Sequence, residues 1–194
     1  MGDINQRLYL ERLMPSVDGP ILEIGSKDYG STQDFREVYA GREYVGVDLA
    51  EGPGVDLVLD LTAGIGPLAQ GRFDLVICCS VLEHTPRPWE MAANIARLVR
   101  QQGWLYIAVP WVWRYHPYPD DYFRFSHRAI ESLFPAFDWS DIVYSTNVAG
   151  EMFEIDPEKP GFDDELALLT EVRGGKRKHL PYLQVHMLGL KTEP

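Results

Sequence analysis

Four apolar runs in this 194-residue chain each stop at a residue that can bind or react. Ile21-Leu22-Glu23-Ile24 ends at Gly25, with Ser26 next, and Tyr44-Val45-Gly46-Val47 ends at Asp48, with Leu49 next. Val55 to Leu59 ends at Asp60 and Leu61, and Phe73 to Cys79 ends at Ser80. A glycine after a strand lets the backbone turn sharply and lets a ligand come close. A carboxylate at Asp48 can accept both hydroxyls of a ribose. At Asp60, an acceptor side chain beside the backbone N–H of Leu61 suits the edge of an adenine. Each residue alone has a plainer explanation as a turn glycine or a capping aspartate. The set points to an adenosine-containing ligand.

A second group follows later in the chain. His84 comes just after the fourth run, and His116 opens the segment His116-Pro117-Tyr118-Pro119-Asp120-Asp121-Tyr122-Phe123-Arg124-Phe125-Ser126. A histidine titrates near neutrality and can take a proton from an attacking hydroxyl or amine, so both are candidate general bases. Trp113, Asp121, Tyr122 and Arg124 are candidate acceptor-binding residues within an aromatic stretch that includes Trp111, Tyr115 and Tyr118. The competing explanation is structural: Asp121 pairs with Arg124, and the aromatics are core.

The residues from Glu23 to Ser80 need a scaffold that brings them together across nearly 60 positions. Strand-like runs alternate with helix-like ones. A first helix, capped by Asp3, runs through Ile4, Leu8 and Leu13 until Gly19-Pro20 breaks it. A second starts at Ser31 or Thr32 and carries Phe35, Val38 and Tyr39. Pro88 opens a third that Gly103 closes, before a strand from Trp104 to Val109. Ser126 caps a fourth, and strands at Asp141 to Ser145 and Leu183 to Leu190 complete the pattern. The expected fold is α/β: a Rossmann-like, doubly wound, mostly parallel seven-stranded sheet with helices on both faces and the last strand antiparallel. Residues 1–194 form one domain on this pattern. The stretch from about 148 to 181 is an insertion between the last two strands, with a helix at Phe162 to Val172 and a lid-like role. In such sheets ligands bind beyond the carboxyl ends of the strands, where all four motifs fall.

Composition narrows the function. A net charge of −11 disfavours nucleic acid as a partner, since gripping phosphates needs a basic surface. The one basic cluster is Arg173, Lys176, Arg177 and Lys178. The longest apolar runs fall short of the ~20 residues that cross a bilayer, and the polar start does not resemble a secretory signal, so a cytoplasmic protein is expected. Cys78 and Cys79 are adjacent and lack further Cys or His at zinc spacing; they read as buried small hydrophobes, and no metal site is expected.

Taken together, Ile21 to Gly25, Tyr44 to Leu49, Val55 to Leu61, Phe73 to His84 and Leu98 to Leu105 resemble the class I methyltransferases that use S-adenosylmethionine, specifically their small type 11 branch. The likeness covers about residues 20–135. It implies that Glu23, Gly25 and Ser26 hold the methionine part of S-adenosyl-L-methionine, Asp48 with Leu49 the ribose side, and Asp60 with Leu61 the adenine. It places Ser80 beside the sulfonium. The family's first loop reads E-x-G-x-G-x-G, whereas Lys27 and Tyr29 stand here where glycines are expected. His116, Asp121, Tyr122 and Arg124 also match an H-x-x-P-x-D-Y-x-R-F-[ST] pattern found in a subset of the family. The expected activity is methyl transfer to an O or N atom of a small-molecule or glycan-like acceptor. The alternatives are a non-catalytic binding or scaffold module on the same fold, or a nicotinamide-dependent oxidoreductase. The missing pyrophosphate glycines disfavour the second.

Overall fold

Alternation along the strands sets the two faces of the sheet. In the computed structural model, which describes residues 3–13, 17–30, 32–155 and 182–193, β1 (Ile21–Ile24) turns Leu22 and Ile24 to one face and Ile21 to the other. In β4 (Phe73–Cys79), Val76 and Cys78 share the first face, while Leu75 and Ile77 share the second. All of these residues are buried, as a parallel strand covered on both sides requires.

The helices take one face each. α1 (Asp3–Leu13) and the short α2 (Phe35–Val38) supply Tyr9, Leu10 and Phe35 to the second face. α3 (Pro88–Leu98) and α4 (His127–Leu133) bring Met91, Ala92, Ile95, Leu98 and Ile130 to the first. The remaining strands are β2 (Tyr44–Asp48), β3 (Leu57–Val58), β5 (Val99–Val112), β6 (Phe137–Ser145), β7 (Met152–Glu154) and β8 (Leu183–Lys191). The sheet order is β3-β2-β1-β4-β5-β8-β6-β7. β1 to β5 are parallel; β8 inserts between β5 and β6, antiparallel to both.

The expected α/β sheet with an antiparallel last strand is therefore present, with four local corrections. The sheet has eight strands among the described residues rather than seven, because β7 folds back on β6 from within the stretch assigned to an insertion. Asn5 clamps the turn between them: its amide donates to Thr146 O and Val148 O and accepts from Gly150 N. The strand expected from Val55 to Leu59 shrinks to two paired residues. Asp56 lies ahead of the paired residues, its N–H donating to Gly46 O at 2.9 Å while its carboxylate accepts from Gly46 N at 2.7 Å and pairs with Arg36.

The third correction concerns α2, which starts at Asp34 rather than at Thr32. Asp34 accepts from Arg36 N, while the Thr32 hydroxyl is used up on Asp28 at 2.6 Å. Finally, α3 stops at Leu98 and the chain enters β5 at once, so Gly103 lies within a strand and closes no helix. Ser126 does cap α4, accepting from Ala129 N, and Pro88 does open α3. Ser31, the basic cluster and the proposed helix at 162–172 lie outside the described residues.

One polar group sits within the second face of the core. His186 on β8 is buried between the Tyr106 hydroxyl on Nδ1 (2.9 Å) and the Ser145 hydroxyl on Nε2 (2.7 Å). Burial pushes its pKa down to about 3, so it is a neutral structural link between three strands. Cys78 is buried as expected, and Cys79 is half-buried. No helix among the described residues is long and apolar enough to cross a membrane. Removing the side chain of fully buried Ile107 leaves a cavity in the central sheet. In urea unfolding, Ile107→Ala is expected to cost about 2–5 kcal/mol, against about 1 kcal/mol for the lost cap in Ser126→Ala.

Candidate active site

The strand order reverses on either side of β1 and β4, so the helices diverge and leave the carboxyl ends of these strands uncovered. A cleft of about 1230 Å³ opens there. Glu23, Gly25, Ser26, Asp48, Leu49, Asp60, Leu61 and Ser80, the residues singled out for a cofactor, all line it. So do His84, His116 and Trp113.

The first loop follows from close approach. Gly25 has φ +77°, and a side chain there would run into Val81. Gly25 N and Ser26 N both donate to Val47 O, at 2.8 and 3.1 Å, and Lys27 N donates to the Asp48 carboxylate at 3.2 Å. The loop is thus tied to the end of β2. Gly46 and Gly54 let the neighbouring backbone approach Ser26 closely. Lys27 and Tyr29, at positions where glycines were expected, also line the cleft: the Lys27 ammonium lies 5.4 Å from the Tyr29 ring, whose centroid is 6.1 Å from that of Tyr118. Gly30 is a second left-handed residue in this loop, at φ +80°.

The carboxylates differ sharply in environment. Glu23 is held among apolar strands with the Tyr44 hydroxyl donating to it at 2.8 Å, and burial pushes its pKa up to about 7. Asp48 accepts from Lys27 N and Ala50 N and faces the cleft. Asp60 lies below the usual carboxylate range because the Thr62 hydroxyl, at 2.6 Å, and the Thr62 amide donate to it. Leu61 packs into the core, so its contribution to the cleft is its backbone.

Ser80 is held at φ +55° and accepts from two amides, Gln6 Nε2 and Gln184 Nε2, each at 3.1 Å. With those bonds made, its own proton is what remains to offer a ligand. Gln6 on α1 and Gln184 on β8 were not legible as site residues. They reach the cleft from opposite ends of the sequence and carry no motif.

On the far wall, the short 3₁₀ turn Leu82–His84 and the loop after β5 bring two histidines face to edge, ring centroids 4.9 Å apart. Between them sits Glu83, fully buried. Apart from the pull of its own backbone N–H, neither carboxylate oxygen meets a hydrogen-bond partner among the described residues, and burial pushes its pKa up to about 8. Sequence gave no sign of this, since a glutamate's burial cannot be seen from its neighbours.

Asp121 and Arg124, also candidates, form the ion pair that their spacing allows. They stand behind His116 and do not line the cleft. Arg124 donates to both Asp121 oxygens, holding that carboxyl well below its usual range, and Asp121 accepts from His116 N at 2.8 Å. Tyr122 is also off the cleft wall; its hydroxyl donates to Asp120, and its backbone N–H donates to Glu83 O. The short Asp121–Arg124 spacing made the ion pair compete for the role that the motif suggested.

Fold and cleft define a doubly wound α/β protein with an open cleft at the switch point of its sheet. Residues 22–107 match the family model described as a methyltransferase domain. A ubiquinone biosynthesis O-methyltransferase from Thiobacillus denitrificans is 32% identical in a match covering 35% of this chain, and the chain spans only 35% of that relative's length. Among solved structures, the 1,6-didemethyltoxoflavin-N1-methyltransferase of Burkholderia thailandensis, holding its namesake compound and S-adenosylhomocysteine, superposes with a TM-score of 0.62 at 16% identity. That match covers 98% of this chain and 78% of the other. A methyltransferase from Archaeoglobus fulgidus superposes at 0.63 and 16% identity, covering 96% and 93% of the two chains. Over residues 22–107 the chain is thus similar to methyltransferase domains, and the solved structures share its fold.

The buried carboxyl of Glu23 gives a pH signature. Below pH 4.5 it is protonated folded and unfolded alike; between 4.5 and about 7 the unfolded chain ionises while the folded one keeps its proton. Glu23 therefore favours folding fully at low pH, and that contribution is lost as pH rises through about 7, on the order of 3 kcal/mol in all. Urea unfolding at about pH 4.5 and about pH 7.5 should show this loss in the wild type and a smaller one in Glu23→Gln.

Proposed function

We propose that this chain transfers the methyl group of S-adenosylmethionine to an O or N atom of a small-molecule or glycan-like acceptor. The observation that carries the reading is the row of Glu23, Asp48, Asp60 and Ser80 along one cleft at the carboxyl edge of the sheet. The residues suit the cofactor. Gly25 leaves bare backbone where a side chain would collide, and the buried Ser26 hydroxyl has no partner among the described residues. Glu23 and Ser26 would hold the methionine portion, Asp48 the ribose hydroxyls, and Asp60 with the Leu61 amide the adenine. When bound, the cofactor supplies a methyl group already activated on a sulfonium.

The work left to the protein is orientation and proton management. Holding two reactants in line contributes roughly 7–11 kcal/mol to such a step. Trp113, Tyr118 and the histidines form the wall facing Ser80, where an acceptor would be gripped. His84 Nδ1 lies 2.6 Å from Asp120 O, which can only accept, so Nδ1 carries the proton and Nε2 keeps its lone pair. The Nδ1 of His116 faces Arg114 O and Asp121, again acceptors, with the same result. Burial lowers the His116 pKa, favouring that neutral form. Either Nε2 can take a proton from an acceptor.

The small-molecule class is supported by the net charge of −11 and by the named compounds of the toxoflavin and ubiquinone relatives. Calorimetric titration with S-adenosylhomocysteine, beside Asp48→Ala and an NAD control, tests the reading. The expected result is binding by the wild type, at least about tenfold weaker in the variant through loss of charge-assisted hydrogen bonds, and none to NAD. A folded wild type that binds no S-adenosyl ligand would instead mark a scaffold module.

A further inference from the structure

We propose that Glu83, His84 and His116 form a binding site for a divalent transition-metal ion of the zinc class, on the wall of the cleft opposite the cofactor residues. The donor atoms already converge. Glu83 Oε1 lies 3.8 Å from His84 Nε2 and 3.9 Å from His116 Nε2, and one ligand atom from each residue falls within 4.8 Å of the others. Zinc–ligand bonds of about 2.0–2.1 Å in tetrahedral geometry separate ligands by about 3.3 Å, so the Glu83 contacts must contract by roughly half an ångström and the histidine pair, within 4.8 Å, by up to about 1.5 Å.

Three further observations point the same way. Both oxygens of the fully buried Glu83 lack a hydrogen-bond partner among the described residues, an arrangement that is costly without a cation beside it. Both imidazoles have their Nδ1 protons engaged, on Asp120 O and on Asp121, which leaves the two Nε2 lone pairs toward Glu83. The Arg124–Asp121–His116 chain is the carboxylate–histidine support that metal-ligating imidazoles use to fix ring and tautomer. Two nitrogens and one carboxylate oxygen suit zinc, cobalt or iron(II) and disfavour magnesium and calcium, which prefer all-oxygen sets. No spacing rule found the site, because His84 and His116 are 32 positions apart and meet only through the loop after β5.

All three residues line the cleft, so three protein ligands leave a position open toward it. A hydroxyl of the acceptor arriving there would ionise more readily beside the ion, which would replace the two Nε2 lone pairs as the means of removing its proton. That consequence rests on the methyl-transfer reading; metal binding itself does not.

The test uses the untagged full chain, stripped with a chelator and titrated with Co²⁺, whose visible absorption reports coordination by nitrogen and oxygen. One equivalent per chain is expected, displaced by Zn²⁺ and not by Mg²⁺. Glu83→Gln and His116→Ala should lose the spectrum, with folding checked by circular dichroism. Asp121→Asn should weaken affinity about 10- to 100-fold. Absence of stoichiometric Co²⁺ binding, or variants that bind like the wild type, overturns the site. S-adenosylhomocysteine binding measured on the same samples separates the two proposals: a chain that binds it but no metal retains the methyltransferase reading alone.

Discussion

Everything in this molecule hangs on the reversal of strand order around β1. Right-handed crossovers carry the chain outward to β2 and β3 on one side and to β4 and β5 on the other, which puts α1 and α2 on one face of the sheet and α3 and α4 on the other. No helix can cover the point where the two directions part. The bare backbone of Gly25 and the ends of β2 and β4 therefore meet solvent or a ligand, although their strands are among the most buried segments of the chain.

That constraint also explains how the electrostatics are built. Glu23 and Glu83 sit at the inner ends of the cleft, close to apolar strands, and burial raises both; Asp60 sits at the outer rim and is lowered by the donors of Thr62. One edge thus presents carboxyl groups of very different proton affinity. The histidines complete it on the far wall. Their protons face away from the cleft because backbone carbonyls and Asp121 fix the tautomers, so they present lone pairs rather than donors.

Much of this was legible in the residues. The apolar runs gave the sheet, and the polar residue at each run's end gave one wall of the cleft, because period and termination are local properties of the chain. What sequence could not give came from long-range placement. Gln6 and Gln184 converge on Ser80 from the first helix and the last strand, and Asp34 displaced Thr32 as a cap because Thr32 was already bonded to Asp28. Glu83 was hidden for the same reason. In sequence it is a charged residue beside a histidine; in the fold it is a buried carboxyl with no hydrogen-bond partner, and only the path of the loop after β5 brings His116 to it. The resemblance to the methyltransferases suggested roles that periodicity could not.

A crystal structure of the chain with S-adenosylhomocysteine tests the central claim most directly. The account predicts the ribose hydroxyls on Asp48, the adenine edge at Asp60 and the Leu61 amide, and the sulfur beside Ser80, facing the two histidines. An adenosyl ligand bound elsewhere, or seated in the cleft with Asp48 and Asp60 unengaged, would contradict it.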